Sequence, residues 1–137
     1  MTPDRLAEIA ARAYRHMAPW TIQEFSETLA RPFVHLTHTD HAFVLGMIVM
    51  DEAEILALAC DPAAQGRGEA TRALRMFEQD AASHGVTDVV LEVAASNAPA
   101  RKFYTRQGYT QAGLRKAYYP QPDGTREDAL LMRKTLP

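Results

Sequence analysis

The stretch that most constrains this chain is "AEILALACDPAAQGRGEATRALRMFEQDAASHGVTDVVLEVAA", residues 53–95. An apolar run stops at Cys60, and a loop with one proline and two glycines follows. Residues 68–84 then carry Ala70, Leu74, Phe77 and Ala81 at helical spacing, with Gly85 as a stop signal. The segment "TDVVLEVAA" reads as a strand. Strand, helix, strand in that order predicts a right-handed crossover joining two parallel strands.

The flanks fill in the rest of an α/β fold with a mixed sheet. Thr2-Pro3 is an N-cap with proline at the first helical position, and Leu6, Ile9, Ala10, Ala13 and Met17 recur at helical spacing. Pro19-Trp20 interrupts that helix, and Thr21 to Glu24 has the spacing of a capping box, opening a second short helix through Phe25 and Leu29. Three strands are expected at about 33–38, 42–50 and 53–60, forming an antiparallel meander. After residue 95 a helix is expected from Asn97 to Gln107, ending at Gly108. Strands at roughly 109–116 and 127–134 complete the chain, joined by a loop with the turn signal Pro122-Asp123-Gly124.

Composition narrows the function. With 137 residues and 47% hydrophobic content the chain suits one compact domain, 1–137. A formal charge of -2 and the lack of an aromatic-basic cluster argue against nucleic acid as a partner. No run of about 18 apolar residues and no signal-peptide pattern stands out, so neither a membrane partner nor secretion is expected. Cys60 is the only cysteine, which fits a cytoplasmic protein without disulfides.

The loop "QGRGEA" carries the chemistry. It delivers backbone N–H groups to a helix N-terminus, an arrangement that attracts anions. Gly66 and Gly68 let a phosphate approach the main chain, and Arg67 adds a charge-assisted contact. A tight turn that needs glycine only for its dihedral angles explains the same six residues equally well. The loop is neither G-x-x-x-x-G-K-[ST] nor G-x-G-x-x-G, which argues against nucleoside triphosphates and dinucleotides.

Taken together, "CDPAAQGRGEA", "LEVAASNAPARKFYTRQGY" and the ending "YYPQPDGTREDALLM" resemble the acetyl-CoA-dependent N-acetyltransferases of the GNAT superfamily. Gln65, Gly68 and Ala70 match that family's Q-x-x-G-x-[GA] pyrophosphate loop. Within the superfamily the chain looks most like the ribosomal-protein-alanine acetyltransferases (RimI type). The resemblance implies a mostly antiparallel sheet whose central parallel strands splay apart, with helices on both faces. It implies that the amides of Gly66, Arg67, Gly68, Glu69, Ala70 and Thr71 bind pyrophosphate. The main chain of Leu58, Ala59 and Cys60 would pair with the pantetheine arm, and Asn97 would hold the arm further along.

For chemistry, the resemblance makes Glu92 the general base, direct or through water, and Tyr104 the general acid. From the residues alone, Glu92 lies on a strand face with Val90 and Ala94 and reads as solvated, while Tyr104 reads equally as a core aromatic beside Phe103. A main-chain amide near Cys60 would stabilise the oxyanion. The acceptor implied is a protein N-terminal amine, the alanine of a small-subunit ribosomal protein. Glu24, Glu27, Glu127 and Asp128 are available as acidic walls for a basic peptide. The alternatives are a small-molecule amine, a lysine side chain, or a non-catalytic CoA-binding module.

Other residues invite readings of their own. Cys60 reads as a packing residue rather than a nucleophile. His35, His38 and His41 are spaced three apart, so on a strand they face opposite sides and no metal site is expected. Tyr118-Tyr119, before a proline in a long loop, suit a wall for a peptide, and ordinary loop packing explains them equally well. Glu69 stands where the family is usually apolar, and it would repel pyrophosphate unless turned outward. Members of the family usually carry a strand before the first helix; here that strand is expected to be missing, which would leave 33–38 as an exposed edge able to mediate a weak homodimer, though a monomer serves as well.

Overall fold

The computed structural model describes residues 1–14, 18–121 and 123–137. Helix α1 (Pro3–Ala13) starts under Thr2, whose hydroxyl accepts the Arg5 N–H at 3.2 Å. It ends where Tyr14 turns extended; Met17 lies outside the described residues. Helix α2 (Ile22–Leu29) has the expected reciprocal cap between Thr21 and Glu24, both bonds at 3.1 Å. Leu6, Ile9 and Phe25 from this pair are fully buried, each worth about 1.5–3 kcal/mol in burial.

Strands β1 (Val34–His38), β2 (Ala42–Val49) and β3 (Glu52–Cys60) form the antiparallel meander. A short 3-10 turn at Pro62–Ala64 leads to helix α3 (Glu69–Ser83), then strand β4 (Asp88–Ala94) and helix α4 (Ala98–Arg106). The hairpin of β5 (Thr110–Pro120) and β6 (Arg126–Thr135) closes a six-stranded sheet of order β1-β2-β3-β4-β6-β5. Only β3 and β4 pair in parallel. Side chains of α1 and α2 pack with Phe43, Leu45, Ala57 and Ala59 on one face. Those of α3 and α4 pack with Ala53, Ile55, Val89 and Leu91 on the other. No helix among the described residues is long and apolar enough to cross a membrane.

Strand β1 forms one edge of the sheet, as expected for residues 33–38. The last hairpin differs from its sequence reading: Tyr118 and Tyr119 belong to β5 rather than to a loop. Pairs Tyr119↔Glu127 and Pro120↔Arg126 extend the ladder past an irregularity between Arg115 and Tyr119, where Ala117 takes a φ of 52°. Proline is tolerated at Pro120 because β5 is an edge strand. The turn is short, with Asp123 Oδ1 accepting the Thr125 N–H at 2.9 Å; Pro122 lies outside the described residues.

The feature that shapes the site is a bulge. The β2–β3 register jumps from Leu45↔Ala57 to Gly46↔Ile55, so Leu56 is an extra residue. Such an insertion reverses side-chain parity and bends the strand. Ala53 and Ile55 accordingly face α3, whereas Ala57 and Ala59 face α1. Beyond the bulge β3 leaves its parallel neighbour, and β3 pairs with β4 only at Glu52↔Asp88, Ala53↔Val89 and Glu54↔Val90.

Candidate active site

Where β3 and β4 diverge, they leave a cavity of about 410 Å³. Its walls come from β3 through Cys60, from β4 through Leu91 to Ala94, and from α4 through Asn97, Phe103 and Tyr104. Gln65, Tyr14 and Tyr119 also line it. A second hollow of about 500 Å³ lies between α4 and the β5–β6 hairpin, lined by Arg101, Lys102 and Arg106. It has no carboxylate in its walls and does not reach the fork.

The unpaired edge of β3 has a defined polarity. The Asp61 N–H donates to the His41 carbonyl at 2.8 Å, and hydrogen-bonded positions of an antiparallel pair alternate. Ala59 therefore directs its main chain at Phe43, and Leu58 and Cys60 direct theirs into the fork. Of the three residues expected along the arm, two offer free main-chain groups there. Ala59 does not.

The glycine loop sits at the end of that edge. Gly66 and Gly68 have φ of 84° and 75°, and an added Cβ at either would meet nothing within 4 Å. Gly68 caps α3 without a side-chain bond, and no main-chain N–H from Gly66 through Thr71 has a partner among the described residues. Open space in front of unpaired amides at a helix N-terminus is what a diphosphate requires. Arg67 is exposed beside them, its carbonyl held by Arg72 Nη1 at 3.2 Å.

Glu69 is turned away from this loop, though inward rather than outward. It is 5% exposed, and Oε1 accepts the Thr39 hydroxyl at 2.6 Å and the His41 N–H at 3.1 Å. Oε2 lies 3.0 Å from His41 Nδ1. Hydrogen bonds from Thr39, then from His41, hold its carboxyl below the usual range against the opposing pull of burial. A lowered folded value gives stability that is complete above the unfolded value and fades as pH falls through the folded one. Glu69→Ala should therefore lower Tm at neutral pH, and the gap to wild type should narrow in melts taken below pH ~4.

Glu92 and Tyr104 share the cavity. Glu92 lies on β4 opposite Leu131, with Oε1 3.3 Å from Arg115 Nε of β5. Arg115 in turn sits 4.9 Å over the Tyr118 ring. Tyr104 is 8% exposed and packs edge-on against Phe103 and Tyr109. Its hydroxyl has no hydrogen-bond partner among the described residues. Burial, with smaller contributions from Tyr14 and Tyr119, raises its pKa well above the ordinary value, so it stays a proton donor at any working pH. It is thus both a core aromatic and a cavity group.

The remaining candidates sort by their partners. Asn97 caps α4, its Oδ1 accepting the Ala100 N–H at 3.3 Å, while lining the cavity. Burial, then Glu69 and Asp61, raise the pKa of Cys60, which keeps it a thiol and a poor nucleophile. Glu24 is used in the α2 cap, Glu27 accepts from Gln23, and Asp128 accepts the Ala117 N–H. Glu127 alone of the four keeps a buried oxygen without a partner, across the ladder from Tyr119. His38 and His41 turn to Thr39 and Glu69, so the three spaced histidines do not converge.

Sequence reasoning missed three groups. Tyr14 ends α1 at the cavity, where burial pushes its pKa to about 12. Arg115 reaches Glu92 from β5, which no local pattern signals. Glu54 carries a carboxyl raised by partial burial, then by Glu92 and Glu52, against the pull of Arg115. Its alternation with Ala53 and Ile55 in "EAEIL" was the available clue.

The profile of the Acetyltransferase (GNAT) family matches residues 4–109. The chain belongs to this family. As a GNAT acetyltransferase it uses acetyl-CoA as cosubstrate. It is 35% identical over 133 residues to the ribosomal protein bS18-alanine N-acetyltransferase of Haemophilus ducreyi, spanning 94% of this chain and 90% of that protein. The crystal structure of the ribosomal-protein-S18-alanine N-acetyltransferase from Escherichia coli superimposes with a TM-score of 0.83 at 32% identity. That match covers 98% of this chain and 87% of the other. An aminoglycoside 6'-N-acetyltransferase complexed with coenzyme A shares the fold alone, with a TM-score of 0.74 at 16% identity over 97% of this chain and 89% of its own.

Proposed function

We propose that this GNAT acetyltransferase moves acetyl directly from acetyl-CoA to a protein N-terminal amine, the N-terminal alanine of a small-subunit ribosomal protein. The observation that carries the reading is the fork. Unpaired main chain at Leu58 and Cys60 runs from the free amides of Gly66 to Thr71 into a cavity that Glu92 and Tyr104 both line. The two relatives named above share that acceptor in their names. A ribosomal acceptor places the reaction in the cytoplasm, performed by one domain.

When bound, acetyl-CoA supplies a thioester whose carbonyl carbon takes the amine nitrogen and whose sulfur leaves as a thiolate. The amides of residues 66–71 hold the diphosphate, and Asn97 steadies the arm. The Leu58 or Cys60 N–H, aimed into the fork, stabilises charge on the carbonyl oxygen. Glu92 removes the proton from the amine, directly or through water, and Tyr104 gives its proton to the departing sulfur. Glu92, Glu54 and the unpartnered oxygen of Glu127 present an acidic wall to a basic peptide. Both proton-transfer groups lie in one cavity, which favours an enzyme over a silent CoA-binding module.

The test is mass spectrometry of peptides incubated with acetyl-CoA, one set beginning with a free alanine and one with a blocked N-terminus and internal lysines. The modification is expected on the N-terminal alanine only. Tyr104→Phe should slow it about 10²-fold at unchanged cofactor binding. Acetyl found on lysine alone would replace this acceptor assignment.

A further inference from the structure

On the far end of α3, His35, Asp80 and His84 converge, and no step of acetyl transfer uses them. His35 Nδ1 lies 2.9 Å from Asp80 Oδ2, and His84 Nδ1 lies 3.5 Å from Asp80 Oδ1. The two imidazole rings meet edge to face at 4.9 Å. One ligand atom from each residue falls within 4.8 Å of the others, the one such group of three among the described residues.

The fold explains the convergence. Period-two alternation sends His35 and Thr37 of β1 toward α3, where the Thr37 hydroxyl donates to the Ala73 carbonyl at 2.8 Å. His35 pairs with Gly46, and the missing side chain there lets Phe77 press onto the sheet. Phe77, Asp80, Ala81 and His84 follow at three- and four-residue spacing, so the last turn of α3 comes down over His35. His84 is the C-cap of that helix, with half its side chain exposed.

We propose that His35, Asp80 and His84 form a binding site for a divalent first-row transition ion, with zinc as the probe. Two imidazoles and one carboxylate suit zinc and its neighbours rather than magnesium or calcium. Tetrahedral bonds of about 2.0–2.2 Å to nitrogen and oxygen put ligand atoms roughly 3.3–3.6 Å apart. The three donors lie within 4.8 Å of one another, and closing on an ion asks His84 Nδ1 to give up its 2.8 Å contact with the Asp80 carbonyl. Water fills the fourth position, since all three side chains reach solvent. The ion would tie the exposed edge strand β1 to the end of α3. Asp80 lies eleven residues along α3 from Glu69, ~17 Å from the glycine loop, so the ion's effect is on stability rather than on acetyl transfer.

Calorimetric titration of the full chain with zinc chloride, in Cys60→Ser background to silence the thiol, is expected to show one equivalent bound. Zinc should also raise Tm, because only the folded chain assembles the three donors. His35→Ala and His84→Ala should each weaken binding about tenfold or more, and His38→Ala should not. His35→Gln serves if the alanine variant folds poorly, with circular dichroism as the check. No heat on titration, or equal affinity in the His35→Gln/His84→Ala double variant, would overturn the site and leave the acetyltransferase reading untouched.

Discussion

Glu92→Gln is expected to lower kcat/KM for an alanine-initiated peptide by about 10²–10³-fold while acetyl-CoA binds as before. The two effects separate because the residues that grip the cofactor and the residue that takes the proton belong to different elements. Diphosphate and arm rest on main-chain groups of the α3 N-terminus and of β3, and Glu92 projects from β4 across the fork. An α-amino group has a reference pKa near 7.7–8.0, so at neutral pH most of the acceptor is protonated. Raising pH above that range frees the amine without help, and the deficit of the variant should shrink. A merely structural role for the carboxylate would leave the deficit constant with pH. The Arg115 end of its ion pair is half exposed, so the pair contributes little to stability and its loss is no rival explanation for a large kinetic effect. A Glu92→Gln enzyme within about threefold of wild type across the whole pH range would remove Glu92 from the mechanism.

Much of this was legible in the chain because the signals were local. Thr2-Pro3 and Thr21 to Glu24 are caps whose residues lie within one turn of each other, and both form as read. The crossover from Cys60 to Asp88 follows from hydrophobic periodicity and two glycines. What escaped depends on partners far apart in sequence. Arg115 finds Glu92 only because β6 lies between β5 and β4 in the sheet. Tyr119 reaches the cavity because the hairpin pairs beyond a bulge, which placing Tyr118-Tyr119 in a long loop concealed. Glu69 looked like a liability beside a phosphate, and its answer lay 30 residues upstream in the turn at Thr39. His84, likewise, is brought to His35 by helix packing and not by spacing.

Gly46→Ala should cost about 3 kcal/mol of folding stability, a fall of about 10 °C in Tm for a chain of this size. Alanine normally gains over glycine inside a strand, by roughly 0.5–1 kcal/mol, because it has less backbone freedom to lose. Sterics reverse that sign here. A Cβ on Gly46 would stand 2.5 Å from Phe77 Cζ and 2.6 Å from the Glu54 carbonyl oxygen. The Phe77 ring is fully buried, so it has no solvent to swing into, and the carbonyl belongs to the strand paired with Gly46 itself. The only relief is to lift α3 or to flatten the register jump at Leu56. Flattening returns β3 toward β4 and narrows the fork, so peptide acetylation should fall further than the loss of folded protein accounts for. Shortening the ring in a Gly46→Ala/Phe77→Leu double variant should recover part of the Tm and leave the rest, because the carbonyl clash remains. A single variant that melts within about 2 °C of wild type would show that the glycine is not what sets the bulge, and the origin of the cleft would have to be sought elsewhere in β3.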